Sequence, residues 1–410
     1  MNGFAPDALG IYISIPFCKS KCTYCNFASG VYPASEHARY VDRVVADLRG
    51  AGVWAGRMGV ELPHRVDTIY LGGGTPSLLA PELIAKLFAA IRAEFDLDAQ
   101  AEITVECAPA QLADATLEAL AAAGVNRASL GVQSFIDSEA QASGRLHNRA
   151  AVERDMARLR AAGIRNLNVD LIAGLAGQTM ETWLQSLEAL AACQAPHASI
   201  YMLEVDEDSR LGRELLAGGK RYRAGLVPSD ELIAEMYEAA IEKLGAAGIK
   251  QYEISNFCRE GFASRHNLRY WERRPYLGVG VDASSMLRAL AAETNPGEMR
   301  AVLRSTTTDN LADYIDGAPT AETAWFSALQ QQEEAWFLGL RLNRGVEIAA
   351  MEQEFGAAAV APALAVASRL IDEGLMDGDR RTVRLTNRGR LLSNEVFAQF
   401  LGLGSAAHPA

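Results

Sequence analysis

At 410 residues the chain is long enough for one large domain and a smaller one. With 49% hydrophobic and 22% charged residues, it has the composition of a soluble globular protein whose core needs no disulfides. A formal net charge of −12 disfavours nucleic acid and anionic membrane surfaces as partners, because both call for a basic excess. The opening segment, MNGFAPDALGIYISIPF, lacks the positive start and long apolar core of a signal peptide. No apolar run reaches the ~18 residues of a membrane span. A cytoplasmic location is expected, where thiols stay reduced.

In chain order, β-rich runs alternate with alanine-rich amphipathic stretches. Strands are predicted at residues 10–15, 66–71, 102–105, 127–132, 166–172 and 197–203. Helices are predicted at 81–95, 113–123, 150–162 and 179–193, with glycine stops such as Gly124 and Gly163. Strand-then-helix units repeated in this way predict an α/β fold, a parallel sheet with helices outside. Six such units suit an open partial (βα)6 barrel better than a closed barrel of eight.

After about residue 205 the rhythm changes. A charged, glycine-rich loop precedes a helix at 230–247 and a polar, aromatic segment to about residue 286. Stretches 295–298 and 306–309 read as linker, so a first domain is expected over 1–290 and a second over 321–405. The second begins with helices at 330–342 and 357–373, followed by a short strand at 382–385 and a helix at 387–400. This order predicts a smaller, mainly helical, winged-helix-like domain.

Three of the six cysteines fall in CKSKCTYC, just after the first strand: Cys18, Cys22 and Cys25. In a reducing compartment such a cluster reads as metal-binding or redox-active. The C-x3-C-x2-C spacing lets three thiolates reach three corners of an iron–sulfur cubane, leaving one iron open to a small molecule. Two other readings compete. A structural zinc site would need a fourth ligand from Cys107, Cys193, Cys258 or a distant histidine. A Cys22–Cys25 redox dithiol would leave Cys18 unexplained. Cys107, Cys193 and Cys258 read as structural.

Polar residues gather near the predicted carboxyl ends of the strands. LGGGTP (71–76) follows strand two, and its glycines let backbone approach a ligand closely. Glu106 ends strand three, Gln133 follows strand four, Asp170 lies in strand five and Glu204 follows strand six. Strand-end carboxylates often only cap helices. Several from one rim, where barrel and open α/β folds bind ligands, point to a site.

SIPFCKSKCTYCNF resembles the signature of the radical S-adenosylmethionine (SAM) enzymes. The resemblance implies a [4Fe–4S] cluster on Cys18, Cys22 and Cys25. It also implies SAM bound to the open iron and cleaved by an electron from the cluster. Within that superfamily the chain resembles the coproporphyrinogen III dehydrogenase-like group, which holds HemN-type enzymes and the heme chaperone HemW. GVQSF (131–135), GRLHNR (144–149), NVDLIAGLAGQT (168–179), YEISNF (252–257) and HNLRYW (266–271) carry the likeness over about 10–400. By position, the group's SAM contacts fall on Tyr12, Gly73, Gly74, Thr75, Glu106, Gln133, Arg145, Asp170 and Glu204.

Three features favour the heme-chaperone branch. Only seventeen residues precede the cluster motif, where the decarboxylating enzymes carry a long extension; Phe27 stands where they have a further cysteine; and HNLRYW fits HN-x-x-YW. That motif has a physical reading: His266 as an axial ligand to heme iron, Asn267 orienting its imidazole, and Tyr270 and Trp271 giving flat surface to a macrocycle. His147 is a second candidate on the porphyrin side. The resemblance implies heme as cargo, heme-accepting proteins such as respiratory cytochromes, and an electron donor such as flavodoxin or ferredoxin. The alternative it leaves is oxygen-independent coproporphyrinogen III dehydrogenation. GVGVDASS (278–285) departs from the group's G-x-G-x-G-A-H-S, with Asp282 for a glycine and Ser284 for the histidine, and Ala176 replaces a proline.

Overall fold

The first strand, β1 (Leu9–Ile15), shows why a parallel sheet forms: six of its seven residues are buried, so both faces are covered. The computed structural model describes residues 8–291, 299–317 and 322–403. Next come β2 (Arg65–Gly73), β3 (Asp96–Cys107), β4 (Arg127–Gln133), β5 (Asn166–Ala173) and β6 (His197–Met202). They lie side by side in chain order and pair parallel throughout. This is the expected open α/β barrel of six units. Strand three is longer than its apolar core suggests, because polar residues 96–100 continue it.

Helices Pro81–Glu94, Arg149–Ala161 and Met180–Ala192 pack outside. Their ends follow local chemistry. Asn148 Oδ1 accepts the Ala151 N–H at 2.9 Å, and Thr179 and Thr182 form a reciprocal cap. Gly124 and Gly163 stop their helices with φ near +90°. The Trp183 indole donates to the Met236 carbonyl at 2.6 Å, tying Met180–Ala192 to helix Asp230–Ala246.

The sheet continues past the sixth unit in both directions. Beyond β6 lie two short antiparallel strands, β7 (Lys250–Gln251) and β8 (Asn256–Cys258). Beside β1 lies β9 (Tyr276–Val279), parallel to it, then antiparallel β10 (Ser284–Arg288), β11 (Val302–Thr306) and β12 (Glu322–Phe326). The main sheet therefore runs beyond residue 290. The reading of 306–309 as linker is corrected: Thr306 is a ladder residue, and Thr307 and Thr308 bond back to Ala283 and Asp282. The other linker reading, 295–298, lies outside the described residues.

The C-terminal segment forms a second hydrophobic cluster around Trp336, Val360, Leu370, Val383 and Phe400. Its helices Ala328–Leu340 and Ala357–Asp372 accompany a three-stranded sheet, β13 (Val346–Glu347), β14 (Met376–Gly378) and β15 (Thr382–Leu385). Residues 387–400 form two short helices, Asn387–Leu391 and Ser393–Ala398, instead of one. Ile254, from YEISNF, is buried in this cluster, a contact worth about 2 kcal/mol for a fully covered aliphatic chain. Among the described residues no helix is long and apolar enough to cross a membrane.

Candidate cofactor site

The carboxyl ends of β2 to β6 open on a cavity of about 870 Å³. Cys18, Cys22, Cys25, Gly73, Gly74, Thr75, Glu106, Gln133, Arg145, Asp170 and Glu204 all line it. Strand register explains this gathering: Glu106 pairs beside Ser129, and Asp170 sits between Gly131 and Ser199 on its two neighbours. Tyr12 is the exception. It stands one layer back, with its hydroxyl beside Gly73 and its ring centroid 6.1 Å from that of Tyr70.

The cysteine loop is held from several sides. The Cys18 N–H donates to the Gly30 carbonyl at 2.8 Å, and Thr23 N–H to Ser143 at 3.0 Å. Phe17 anchors the loop's base, stacked on His37 with centroids 3.9 Å apart. All three thiols are free. Thr75 Oγ1 lies 3.8 Å from Cys18 Sγ, and Arg145 Nη1 lies 3.4 Å from Cys22 Sγ. Burial pushes the Cys18 thiol above its ordinary value, although Thr75 and Ser29 oppose the shift. A bound cation would reverse that preference, since thiolates are the ligand form. A zinc ion would draw all its ligands onto one point. A cubane instead takes each thiolate on a separate iron.

Gly73 and Gly74 form a cradle beside that loop. Gly73 has φ +96°, and a Cβ on Gly74 would meet the Ile15 carbonyl oxygen at 2.7 Å and Phe17 backbone at 2.9 Å. Across from them Gln133 also has positive φ, +68°, uncommon for a side chain of this type. Its buried Oε1 has no partner among the described residues, a polar atom left for a ligand. Soft donors, a backbone cradle and an unspent amide oxygen on one rim together fit a cubane with a polar organic cofactor beside it.

Two carboxylates set the electrostatics. Burial first, then the charge of Asp170, push Glu106 up to about 7, while Tyr70 (hydroxyl at 2.9 Å from Oε1) and the Gly73 N–H pull it down. Asp170 is also raised by burial, against hydrogen bonds from Ser199, Ser129 and Asn168. Arg145 supplies positive charge; its Nε donates to the Gly131 carbonyl at 2.9 Å.

The heme-facing expectations fare differently. His266 is fully buried under the barrel and does not line the cavity. Its Nδ1 pairs with Thr68 Oγ1 at 2.9 Å and its Nε2 with the Tyr270 hydroxyl at 2.8 Å. Both ring nitrogens are thus engaged within the fold, by groups other than Asn267. Burial, with the charges of Arg269 and Arg127, keeps the imidazole neutral. His147 is buried against the Val132 carbonyl at 3.2 Å, its pKa lowered to about 4 by burial and then by Arg145. Asn267 does reach the cavity. Trp271 instead faces a second cavity of about 790 Å³ and carries the Arg341 guanidinium 4.2 Å above its ring. Arg341 also pairs with the buried Glu253 at 3.4 Å, so YEISNF and HNLRYW together dock the C-terminal segment. Asp282 adopts φ +54°, the conformation that explains glycine in the related motif.

Tyr70, Tyr24, Arg127 and Asn394 also line the cavity, and the sequence reading missed them. Tyr70 precedes LGGGTP by one residue and would point inward by strand alternation. The chain matches the Radical SAM superfamily over residues 12–190 and the HemN C-terminal domain over 326–392. It is 33% identical to "Heme chaperone HemW" of Lactococcus lactis, over 95% of this chain and 96% of that protein. The chain belongs to the HemW family of radical SAM proteins. Family identity extends to the Bacillus subtilis "Heme chaperone HemW", 33% identical over 95% of this chain and 98% of that one. The fold is also that of the Escherichia coli coproporphyrinogen III oxidase HemN. The TM-score is 0.78 at 21% identity, covering 97% of this chain and 91% of the other.

Proposed function

We propose that this HemW-family protein binds a [4Fe–4S] cluster through Cys18, Cys22 and Cys25, holds SAM along the strand-end rim, and carries heme to acceptor proteins. The observation that carries the cofactor reading is the convergence on one cavity of three free thiols, the Gly73–Gly74 cradle and the buried pair Glu106 and Asp170. The cluster supplies the electron that cleaves the sulfonium cofactor when both are bound. This chain's residues do the rest. Gly73 and Gly74 admit the cofactor to backbone contact, Glu106 meets its ammonium group, Gln133 accepts from it, and Asp170 stands ready for its hydroxyls. Tyr12 backs the cradle from behind.

The heme-carrying reading rests on the named relatives. Because His266 is engaged within the fold, heme is held by other groups in this reading. Anaerobic reconstitution with iron and sulfide, followed by titration with SAM and with hemin, tests both halves. Brown cluster absorption, SAM binding and stable hemin uptake without porphyrin conversion are expected. Conversion of coproporphyrinogen III to protoporphyrinogen IX would overturn the chaperone reading in favour of the dehydrogenase. A colourless protein with one bound zinc would overturn both.

A further inference from the structure

At the end of β4 opposite Gln133 stands Arg127, separated by about 20 Å of strand at the usual rise per residue. Its side chain is 2% exposed yet lines the same cavity, at the floor of the barrel. Among the described residues it has no ion-pair partner, and its Nε has no hydrogen-bond partner. A buried guanidinium is costly unless an anion or strong acceptors meet it.

The ladder neighbours of Arg127 are Thr104 and Asn166, whose buried side-chain oxygens make no hydrogen bond to it among the described residues. The polar groups around Asp170 are bonded to one another. Asp170 Oδ2 takes the Ser129 hydroxyl at 2.9 Å, and its Oδ1 takes Asn168 Nδ2 at 2.7 Å. Asn168 Oδ1 pairs with His197 Nδ1 at 2.6 Å, and His197 Nε2 with the Tyr252 hydroxyl at 2.9 Å. Ser199 donates to Asn256 Oδ1 at 2.9 Å, and Glu106 is bonded by Tyr70. None of these bonds reaches the guanidinium, although its charge acts on Asp170 from a distance. Its planar fork matches a carboxylate two bonds at a time.

We propose that Arg127 anchors a second subsite, below the cofactor rim, for an aliphatic carboxylate on the molecule that enters the barrel. Only the identity of that molecule rests on the heme reading above: a tetrapyrrole presents such groups as propionate side chains, while a smaller carboxylic acid would be read by the same fork.

The test uses the full-length, reconstituted protein and its Arg127→Gln and Arg127→Lys variants. Thermal melts compare sodium propionate with sodium chloride at matched ionic strength, and spectral titrations compare hemin with its dimethyl ester. Propionate is expected to raise the melting temperature of the wild type, partly that of Arg127→Lys, and not that of Arg127→Gln. Without ligand, Arg127→Gln is expected to melt at or above the wild type, because an uncompensated charge is gone. Hemin is expected to bind the wild type about tenfold tighter than its ester, as loss of a charge-assisted bond implies, and the difference should vanish in Arg127→Gln. Propionate protection with equal binding of hemin and ester would keep the subsite and sink the tetrapyrrole identity. A propionate response absent from the wild type, or undiminished in Arg127→Gln, would overturn the subsite, as would melting of unliganded Arg127→Gln well below the wild type.

Discussion

Glu102 caps the helix that carries His266: its carboxylate accepts the His266 N–H at 2.9 Å and the Arg265 N–H at 3.0 Å. Strand β3 thereby fixes the HNLRYW helix under the barrel, with Ser264 completing the cap through its hydroxyl to Asn267. The imidazole fills the space between Thr68 and Tyr270. Replacing His266 by alanine is expected to destabilise the fold by about 2–4 kcal/mol, from the void plus the stranded Tyr270 hydroxyl, since Thr68 keeps its bond from Arg269. Iron and sulfide content, and the spectrum of bound hemin, should be unchanged at temperatures where the variant is folded. A lost or shifted hemin spectrum in a well-folded variant would restore His266 as a ligand.

The same helix shows where sequence reasoning works and where it stops. The six core strands were legible because parallel strands buried on both faces read as apolar runs, as LGIYISI does. Gly73, Glu106, Gln133 and Glu204 were legible as cavity-lining residues because each sits at or just past the end of such a run. Helix Ala34–Arg57 went unread; Gly50, Gly52 and Gly56 dilute its pattern, and packing of Tyr40, Val44 and Leu48 sustains it. Strands β9 to β12 were missed because they are short, and β9 finds its partner in β1 from the far end of the chain. HNLRYW reads as ligand chemistry from residue types alone. Only the neighbours Thr68 and Glu102, distant in sequence, reveal that its histidine and backbone are spoken for. Arg127 was passed over for a related reason: an arginine opening a strand reads as solvated until the fold buries it.

The cysteines separate cleanly by position. Cys18, Cys22 and Cys25 face the cavity, whereas Cys193 ends helix Met180–Ala192 with its thiol on the Leu190 carbonyl at 3.0 Å. Alanine at any of the first three is expected to remove the cluster, because a cubane held by two thiolates loses much of its ligand field. Cys193→Ala should leave iron and sulfide stoichiometry at the wild-type level. Wild-type iron content in any of the first three variants would refute the ligand set.

Glu106 should make cofactor affinity pH-dependent. Its folded value of about 7 lies above the ordinary 4.5, so its contribution to stability is fully present below about 4.5 and is lost as pH rises through 7. Ionised Glu106 is the form that pairs with an ammonium group. SAM affinity is therefore expected to strengthen as pH rises from about 6 to 8, with proton release on binding measurable by calorimetry in buffers of different ionisation enthalpy. Glu106→Gln should flatten that dependence and weaken SAM about 10- to 100-fold, the range for a charge-assisted hydrogen bond. A variant that keeps the wild-type pH slope would place the titrating group elsewhere.

Gly74 offers the sharpest steric test of the cradle. A methyl group there would press on the Ile15 carbonyl at 2.7 Å and on Phe17 backbone at 2.9 Å, both rigid, one belonging to β1 and the other to the base of the cysteine loop. The Thr75 N–H donates to the Phe17 carbonyl at 2.8 Å, so displacing the cradle also drags the residue next to Cys18. Gly74→Ala is expected to cut SAM affinity at least tenfold and to lower cluster retention during anaerobic gel filtration. Gly163→Ala, at a helix stop with open space around it, should leave both unchanged while costing about 1 kcal/mol for its positive φ. The contrast isolates close approach from left-handed backbone: equal losses in the two variants would mean that general destabilisation, and not the cradle, governs cofactor binding.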